Sequence, residues 1–337
     1  MADFSFIKTL PNQVDFSLFD ELPKSLYAAS SHRFKSGNEP VTIFLEGCYV
    51  LLKNGVPVGR FAFYENPELI YKNEKACSIG SYECVNDQEI SGRLINKAKE
   101  IAFNKGYSWI IGPMEGSTWS NYRFSLGHDS AVSFMEPYHH LYYNNQFLYH
   151  GFDVIHRYGS NLISPEIYKE KQLKDIESVN QENGFTYRKI NLDDYQNELK
   201  KIAELSLSGF KENFLFTPIS EKEFLNKYIP LKSYLDPNLI WMIEDKNREL
   251  QAYIFGIKDF FDPKEETLII KTIVKKKESD LTKVGVYSVL KINQMAQKFG
   301  FKKVVHAFMS RENFSSKESE RNQAKPYKEY ALYGLKL

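Results

Sequence analysis

The chain has 337 residues, 42% of them apolar, 15% aromatic and 26% charged, with 44 Lys+Arg against 43 Asp+Glu. That length exceeds what one hydrophobic core organises and predicts about two domains, while the composition excludes a disordered, collagen-like or disulfide-stapled chain. The cancelling charges leave no global field toward phosphate backbones or anionic lipid, so neither a nucleic acid nor a membrane partner is expected.

In chain order, Cys48 to Leu52 and Val56 to Phe63 flank Lys53-Asn54-Gly55, a hairpin signal. Ala76 to Val85 reads as a strand. From Asp87 the apolar period becomes helical, with Ile90, Leu94, Ile95, Ala98, Ile101 and Ala102 before Gly106. Trp109 to Ile111 is a buried strand, Gly112 to Asn121 a polar loop, Tyr138 to Tyr149 an aromatic helix and Val154 to Ile163 a strand. The Lys-, Glu- and Asn-rich stretch over 165–183 reads as a linker with room for a short helix. Beyond it the pattern restarts: a strand over Phe185 to Ile190, helices over Leu192 to Phe210 and Glu221 to Tyr228, a hairpin around Lys246-Asn247-Arg248, a strand over Leu268 to Val274. A helix through Val286, Val289, Leu290, Ile292, Met295, Ala296 and Phe299 stops at Gly300; strands at Val304 and over Tyr330 to Leu335 complete the chain.

The halves superimpose by residue number. Asn54 precedes Asn247 by 193, Gly92 precedes Gly285 by 193 and Gly106 precedes Gly300 by 194. The sequence therefore predicts a duplicated unit, with domains at 1–164 and 184–337. Cys48, Cys77 and Cys84 lack metal-ligand spacing and lie in apolar runs, which reads as buried thiols in a reducing cytosol. Met1 to Phe6 has no basic stretch leading into an apolar one, and no run reaches the roughly 18 apolar residues of a bilayer span, so a cytoplasmic protein is expected.

The repeated order of strands and helices resembles the GNAT superfamily of acyl-CoA N-acyltransferases over nearly the whole chain. The loop entering the central helix carries the resemblance, as Thr282-Lys283-Val284-Gly285-Val286-Tyr287 in the second half and Glu89-Ile90-Ser91-Gly92-Arg93-Leu94 in the first. Each keeps one glycine of the family's pattern of Gln or Arg, two residues, Gly, one residue, Gly or Ala. Gly80 to Glu83, Gly112 to Met114 and Tyr330-Ala331-Leu332-Tyr333 are similar to a bacterial two-domain group of that superfamily. The resemblance implies an α/β (α+β) fold of tandem GNAT-like domains, each a mixed, mostly antiparallel sheet flanked by helices. It also implies acetyl-CoA or another acyl-CoA as co-substrate, no metal, and a small-molecule or peptide amine as acceptor, in a monomer or homodimer.

The physics of the loop is general, because orphan N–H groups and the positive dipole end of a helix favour phosphate. Seven residues run from Val85 to Gly92 against eleven from Val274 to Gly285, so the second half has more room to wrap a pyrophosphate. By the resemblance, the backbone of Ile273 and Val274 would hold the acyl-CoA, Val284, Gly285, Val286 and Tyr287 its pyrophosphate, and Asn313 the pantetheine arm. Tyr330 and Tyr333 are candidate proton donors to the thiolate, and Glu83 is a candidate base. Each also has a plain alternative: a helix cap for Asn313, packing for the tyrosines, and pairing with Arg60 for Glu83. Lys275 to Lys277 read as a solvated run within reach of phosphates, and His306 as a core histidine. His139, His140 and His150 do not make a metal site, because neighbouring residues on a helix point about 100° apart. The helix stripe Tyr138, Leu141, Tyr142 and Asn145 is expected to pack on its own sheet. Degenerate, non-catalytic scaffolding, aminoacyl-tRNA-dependent peptidyl transfer and N-myristoyl transfer stand as alternatives to N-acetyl transfer.

Overall fold

The structure is a computed structural model that describes residues 3–28, 40–127, 132–165, 170–312, 319 and 324–337. The first half runs β1 (Phe4–Thr9), α1 (Phe16–Leu26), β2 (Leu45–Lys53), β3 (Val56–Tyr64), β4 (Ile70–Tyr71), β5 (Glu74–Cys84), α2 (Gln88–Asn104), β6 (Trp109–Gly112), β7 (Phe124–Ser125), α3 (Tyr142–Tyr149) and β8 (Asp153–Ile163). The second runs α4 (Glu170–Glu182), β9 (Thr186–Lys189), α5 (Tyr195–Gly209), α6 (Glu221–Tyr228), β10 (Ile240–Glu244), β11 (Leu250–Lys258), β12 (Thr267–Lys275), α7 (Val284–Lys298), β13 (Lys303–Ser310) and β14 (Lys325–Lys336). Asn54 and Gly55 take φ of 52° and 81°, the left-handed pair that closes a tight hairpin. Gly106 and Gly300, at φ 76° and 78°, end α2 and α7 alike, and the next residue's N–H reaches back to Ala102 O and Ala296 O respectively.

The duplication is structural. Each half has one parallel pair, β5 with β6 and β12 with β13, joined through the helix that covers it; the remaining pairs are antiparallel. The two sheets are continuous, in the order β1-β2-β3-β5-β6-β14-β8-β13-β12-β11-β10-β9. The closing strands of the halves are exchanged: β14 pairs with β6, and β8 pairs with β13. A division after residue 164 therefore cuts between strands that each complete the other half's sheet. The stretch expected as a linker contains α4, which buries Leu173 and Ile176 in the second core and uses the Asn180 side chain to bond Thr282 N and O.

Side chains seal the join as well. Trp119, on the loop after β6, contacts the rings of Phe210, Phe216 and Phe224 and donates its indole N–H to Thr217 O at 2.9 Å. The Lys227 ammonium donates to the Trp119 carbonyl, and the Asn66 amide bridges Gly116 O and Thr217 Oγ1. No helix among the described residues is long and apolar enough to cross a membrane. Cys48, Cys77 and Cys84 are free and buried.

Candidate active site

β12 and β13 are paired only from Thr267–Lys303 to Ile270–His306; beyond that they part, and Phe308, at φ 55°, bulges out of β13. Thr272 to Lys275 keep β11 on one side and have no β13 partner on the other, while Lys271 sits at a register shift where neither strand pairs with it. The gap opens into a cavity of ≈ 760 Å³, walled at one end by Ile273, Lys283, Val284, Gly285, Val286 and Val289. At this end α7 begins. Its N-cap, Lys283, sits at φ 52° and makes no side-chain cap bond, so among the described residues the first-turn N–H groups have no capping side chain.

The matching gap in the first half is filled. β5 and β6 pair over Ala76–Trp109 to Ser78–Ile111 and then part, but α3 lies at the opening. The Tyr142 hydroxyl donates to Cys84 O at 2.8 Å, the Tyr143 hydroxyl accepts from Cys84 N at 3.3 Å, and the Gln146 amide donates to Val85 O at 2.9 Å. The strand edge that is bare in the second half is thus satisfied by side chains. The Asp87 carboxylate caps α2 by accepting from Glu89 N and Ile90 N, which consumes donors and sets a negative charge where a phosphate would bind. A Cβ on Gly92 would stand 3.0 Å from His150 Cε1.

The far end of the second-half cavity is built by the first half, through the strand exchange and the Trp119 loop. Tyr158 and His156 project from β8, with Tyr122 and Arg123 ahead of β7 and Phe214 beyond α5. His156 stacks on Phe214 at 4.2 Å and bonds Ser310 Oγ at 2.8 Å; burial pushes its pKa down. Burial also raises the Tyr158 hydroxyl well above the ordinary phenol range. Lys271, at the middle of β12, lies 4.6 Å from the Phe308 ring. Burial, reinforced by the cations of Arg123 and Lys227, brings its ammonium down to about 7. His306 also lines the wall. Its Nδ1 meets Ser319 Oγ at 2.7 Å, its Nε2 has no partner among the described residues, and burial lowers it to about 4, so it is neutral at neutral pH. Among the described lining residues there is no Asp or Glu.

No known protein family and no curated protein sequence matches the chain. Solved structures do match. The glucosamine N-acetyltransferase region of a fungal multi-domain GH3 β-N-acetylglucosaminidase aligns with 99% of this chain at TM-score 0.60 and 13% identity, and the chain spans 38% of that protein. A tandem GNAT protein from the clavulanic acid biosynthesis pathway aligns at TM-score 0.55 and 12% identity, over 99% of this chain and 98% of that one. The chain has the tandem GNAT fold. A GCN5-related N-acetyltransferase from Sphaerobacter thermophilus, at TM-score 0.50 and 10% identity, covers 98% of this chain and 95% of its own.

Within the tandem GNAT fold, the residues singled out from the sequence divide. Ile273, Val284, Gly285 and Val286 meet at the α7 end of the cavity. Val274 is on the same strand, but its side chain packs toward α5, with its Cγ1 against Gly209. Tyr287 turns away: its N–H bonds Lys283 O, its hydroxyl donates to Glu177 at 3.2 Å and its ring packs 4.7 Å from Tyr187, so it offers a phosphate nothing. Asn313 lies outside the described residues. Tyr330 and Tyr333 are absent from the cavity wall, because β14 joins the first half. Tyr330 Oη donates to Glu136 at 3.2 Å and Tyr333 Oη to Asn144 at 2.6 Å, both buried. Tyr158, on the exchanged β8, stands on the wall in their stead.

Glu83 lies in the closed first-half gap. It accepts from Tyr27 at 2.8 Å and Tyr143 at 2.6 Å and sits in register with Arg60; desolvation leaves its carboxyl above the ordinary range despite these partners. Lys276 and Lys277 pair with Glu249 and Glu212 at the surface, and only Lys275 of that run reaches the cavity. The packed face of α3 is Tyr143, Asn144, Gln146 and Phe147, whereas Leu141 of the expected stripe is exposed. His139 accepts from Ser125 N and His140 contacts Leu26 O, both as backbone braces; no metal-binding group occurs among the described residues. Arg123, Lys271, His156 and Tyr158 were missed. They converge only through pairing between the halves, which no local pattern encodes.

Proposed function

We propose that the second half binds an acyl-CoA, with acetyl-CoA the first to test, and passes its acyl group to the primary amine of a small-molecule or peptide acceptor that enters from the first-half side. The carrying observation is the contrast between two copies of one unit: one gap bare along its strand and uncapped at its helix, the other plugged by α3 and capped by Asp87. The residues present fit the co-substrate. The first-turn N–H groups of α7, with Lys275 and Lys283 beside them, suit a pyrophosphate, and the unpaired edge of β12 at Ile273 and Val274 suits an amide-bearing arm and the thioester oxygen.

Attack requires a neutral amine, and the leaving thiolate requires a proton. Lys271, partly neutral at neutral pH, takes the proton from the acceptor ammonium, and Tyr158 gives its hydroxyl proton to sulfur. The C–N bond forms, the C–S bond breaks, the second proton of the attacking nitrogen restores the Tyr158 hydroxyl, Lys271 releases the first to solvent, and amide and CoA thiol leave. The first half is then structural for cofactor binding while lending its side chains to the acceptor end. Calorimetry with acetyl-CoA, paired with free-thiol release across a panel of amines, tests the proposal. Absence of both binding and thiol release would favour the non-catalytic scaffold.

A further inference from the structure

Arg123 enters the transfer chemistry above only through its charge, which helps lower the Lys271 ammonium, yet the fold goes to some length to place it. Its backbone takes φ 93°, a region that residues with a Cβ rarely enter and that persists only where the surroundings enforce it. The residue is 8% exposed, with its guanidinium carbon 4.1 Å from the Tyr122 ring centre and 4.8 Å from those of Tyr158 and Phe308. One N–H, at 3.4 Å from Phe308 O, is its hydrogen bond within the described protein, and no carboxylate among the described residues pairs with it. Lys271 lies against the same Phe308 ring, and the described cavity wall carries no acid.

An arginine does not shed its proton to relieve burial, and a desolvated cation without a counter-charge is costly. The deficit points to a ligand. The pyrophosphate of an acyl-CoA has its own donors at α7, whose side chains pack in the second core; Arg123 stacks instead on rings of the cluster formed by Tyr158, Tyr330 and Phe308. A planar fork of N–H groups over aromatic walls suits a carboxylate attached to an apolar body.

We propose that Arg123 anchors a carboxylate on the acceptor, so that the amine acylated here belongs to the amino acid class, with an aromatic or apolar body held by Tyr122, Tyr158 and Phe214. This rests on reading the cavity as an acyl-transfer site. The test uses the full chain and pairs of probes differing in the carboxylate alone, L-phenylalanine with phenethylamine, L-tryptophan with tryptamine and L-leucine with isopentylamine, titrated with and without CoA. The carboxylate member of at least one pair is expected to bind about tenfold to a hundredfold more tightly. Arg123→Gln is expected to abolish that preference while leaving CoA affinity unchanged. If the variant does not fold, the wild-type preference still decides.

Equal binding within every pair, or binding by no probe, overturns the proposal. So does an Arg123→Gln protein that loses CoA affinity and keeps the preference, because the guanidinium would then be reading a phosphate. Carboxylate preference without any CoA binding would sink the acyl-transfer reading and leave the anchor standing.

Discussion

Replacing Lys271 with methionine should stabilise the protein, by an amount that depends on pH. In the folded chain the ammonium is brought to about 7 by burial and by Arg123 and Lys227, whereas an unfolded lysine titrates near 10.4. Below about pH 7 both states hold the proton, and the burial penalty, on the order of a few kcal/mol for a side chain that stays partly exposed on the cavity wall, is present in full. Between those values the unfolded chain binds more protons than the folded one. Wild-type stability therefore rises with pH, by at most about 1.4 kcal/mol per unit, as the penalty fades. Methionine keeps the length and the contact with the Phe308 ring without the charge. Urea unfolding of both proteins at about pH 6, 7, 8 and 9 should show Lys271→Met the more stable by several kcal/mol at the acid end, with the gap narrowing by roughly 1 kcal/mol per unit above neutrality. Parallel stability curves, or a wild type more stable than the variant near pH 6, would refute the picture of a desolvated lysine.

Outcomes are also expected for five further variants. Gly285→Glu should weaken acetyl-CoA binding at least about tenfold by calorimetry, since it adds a carboxylate to the first turn of α7. Gly92→Glu should leave that affinity unchanged but lower the melting temperature through its collision with His150. Tyr158→Phe should reduce kcat about a hundredfold at unchanged Kd for acetyl-CoA, while Tyr333→Phe should keep kcat and cost about 1–2 kcal/mol in urea unfolding, because buried Asn144 loses its donor. Trp119→Ala should destabilise by about 3 kcal/mol, reflecting three ring contacts and the Thr217 hydrogen bond lost from the join.

The duplicated unit was legible in the sequence because its markers are local. Asn54-Gly55 and the glycines after α2 and α7 have to supply left-handed backbone wherever the unit recurs, and the apolar period of each helix survives even where identities do not. The uncapped start of α7 was half legible: Asp87 stands in the sequence as a helix cap, and Lys283 offers none, which already separates the two loops. The exchange of β8 and β14 was not. Tyr158 and Tyr330 sit in similar apolar runs, and nothing near either says which sheet edge it will join, so the sequence does not tell the tyrosine on the cavity wall from the one buried against Glu136. The plug was hidden for the same reason. Tyr142, Tyr143 and Gln146 look like ordinary helix residues until their hydroxyl and amide groups are seen bonded to the backbone of Cys84 and Val85, some sixty residues away.

The acceptor end followed from neither half alone. Arg123 and His156 are first-half residues by number and second-half residues by place. Their identity as a set depends on the loop carrying Trp119 docking on Phe210, Phe216 and Phe224, a contact between positions about a hundred residues apart.

The central claim is that of two like gaps only the second holds an acyl-CoA. A crystal structure of the protein grown with acetyl-CoA tests it most directly. The account predicts the thioester arm between β12 and β13, with the pyrophosphate on the backbone of Val284, Gly285 and Val286. Ligand density between β5 and β6, with α3 displaced, would contradict it, as would saturating acetyl-CoA that leaves both gaps empty.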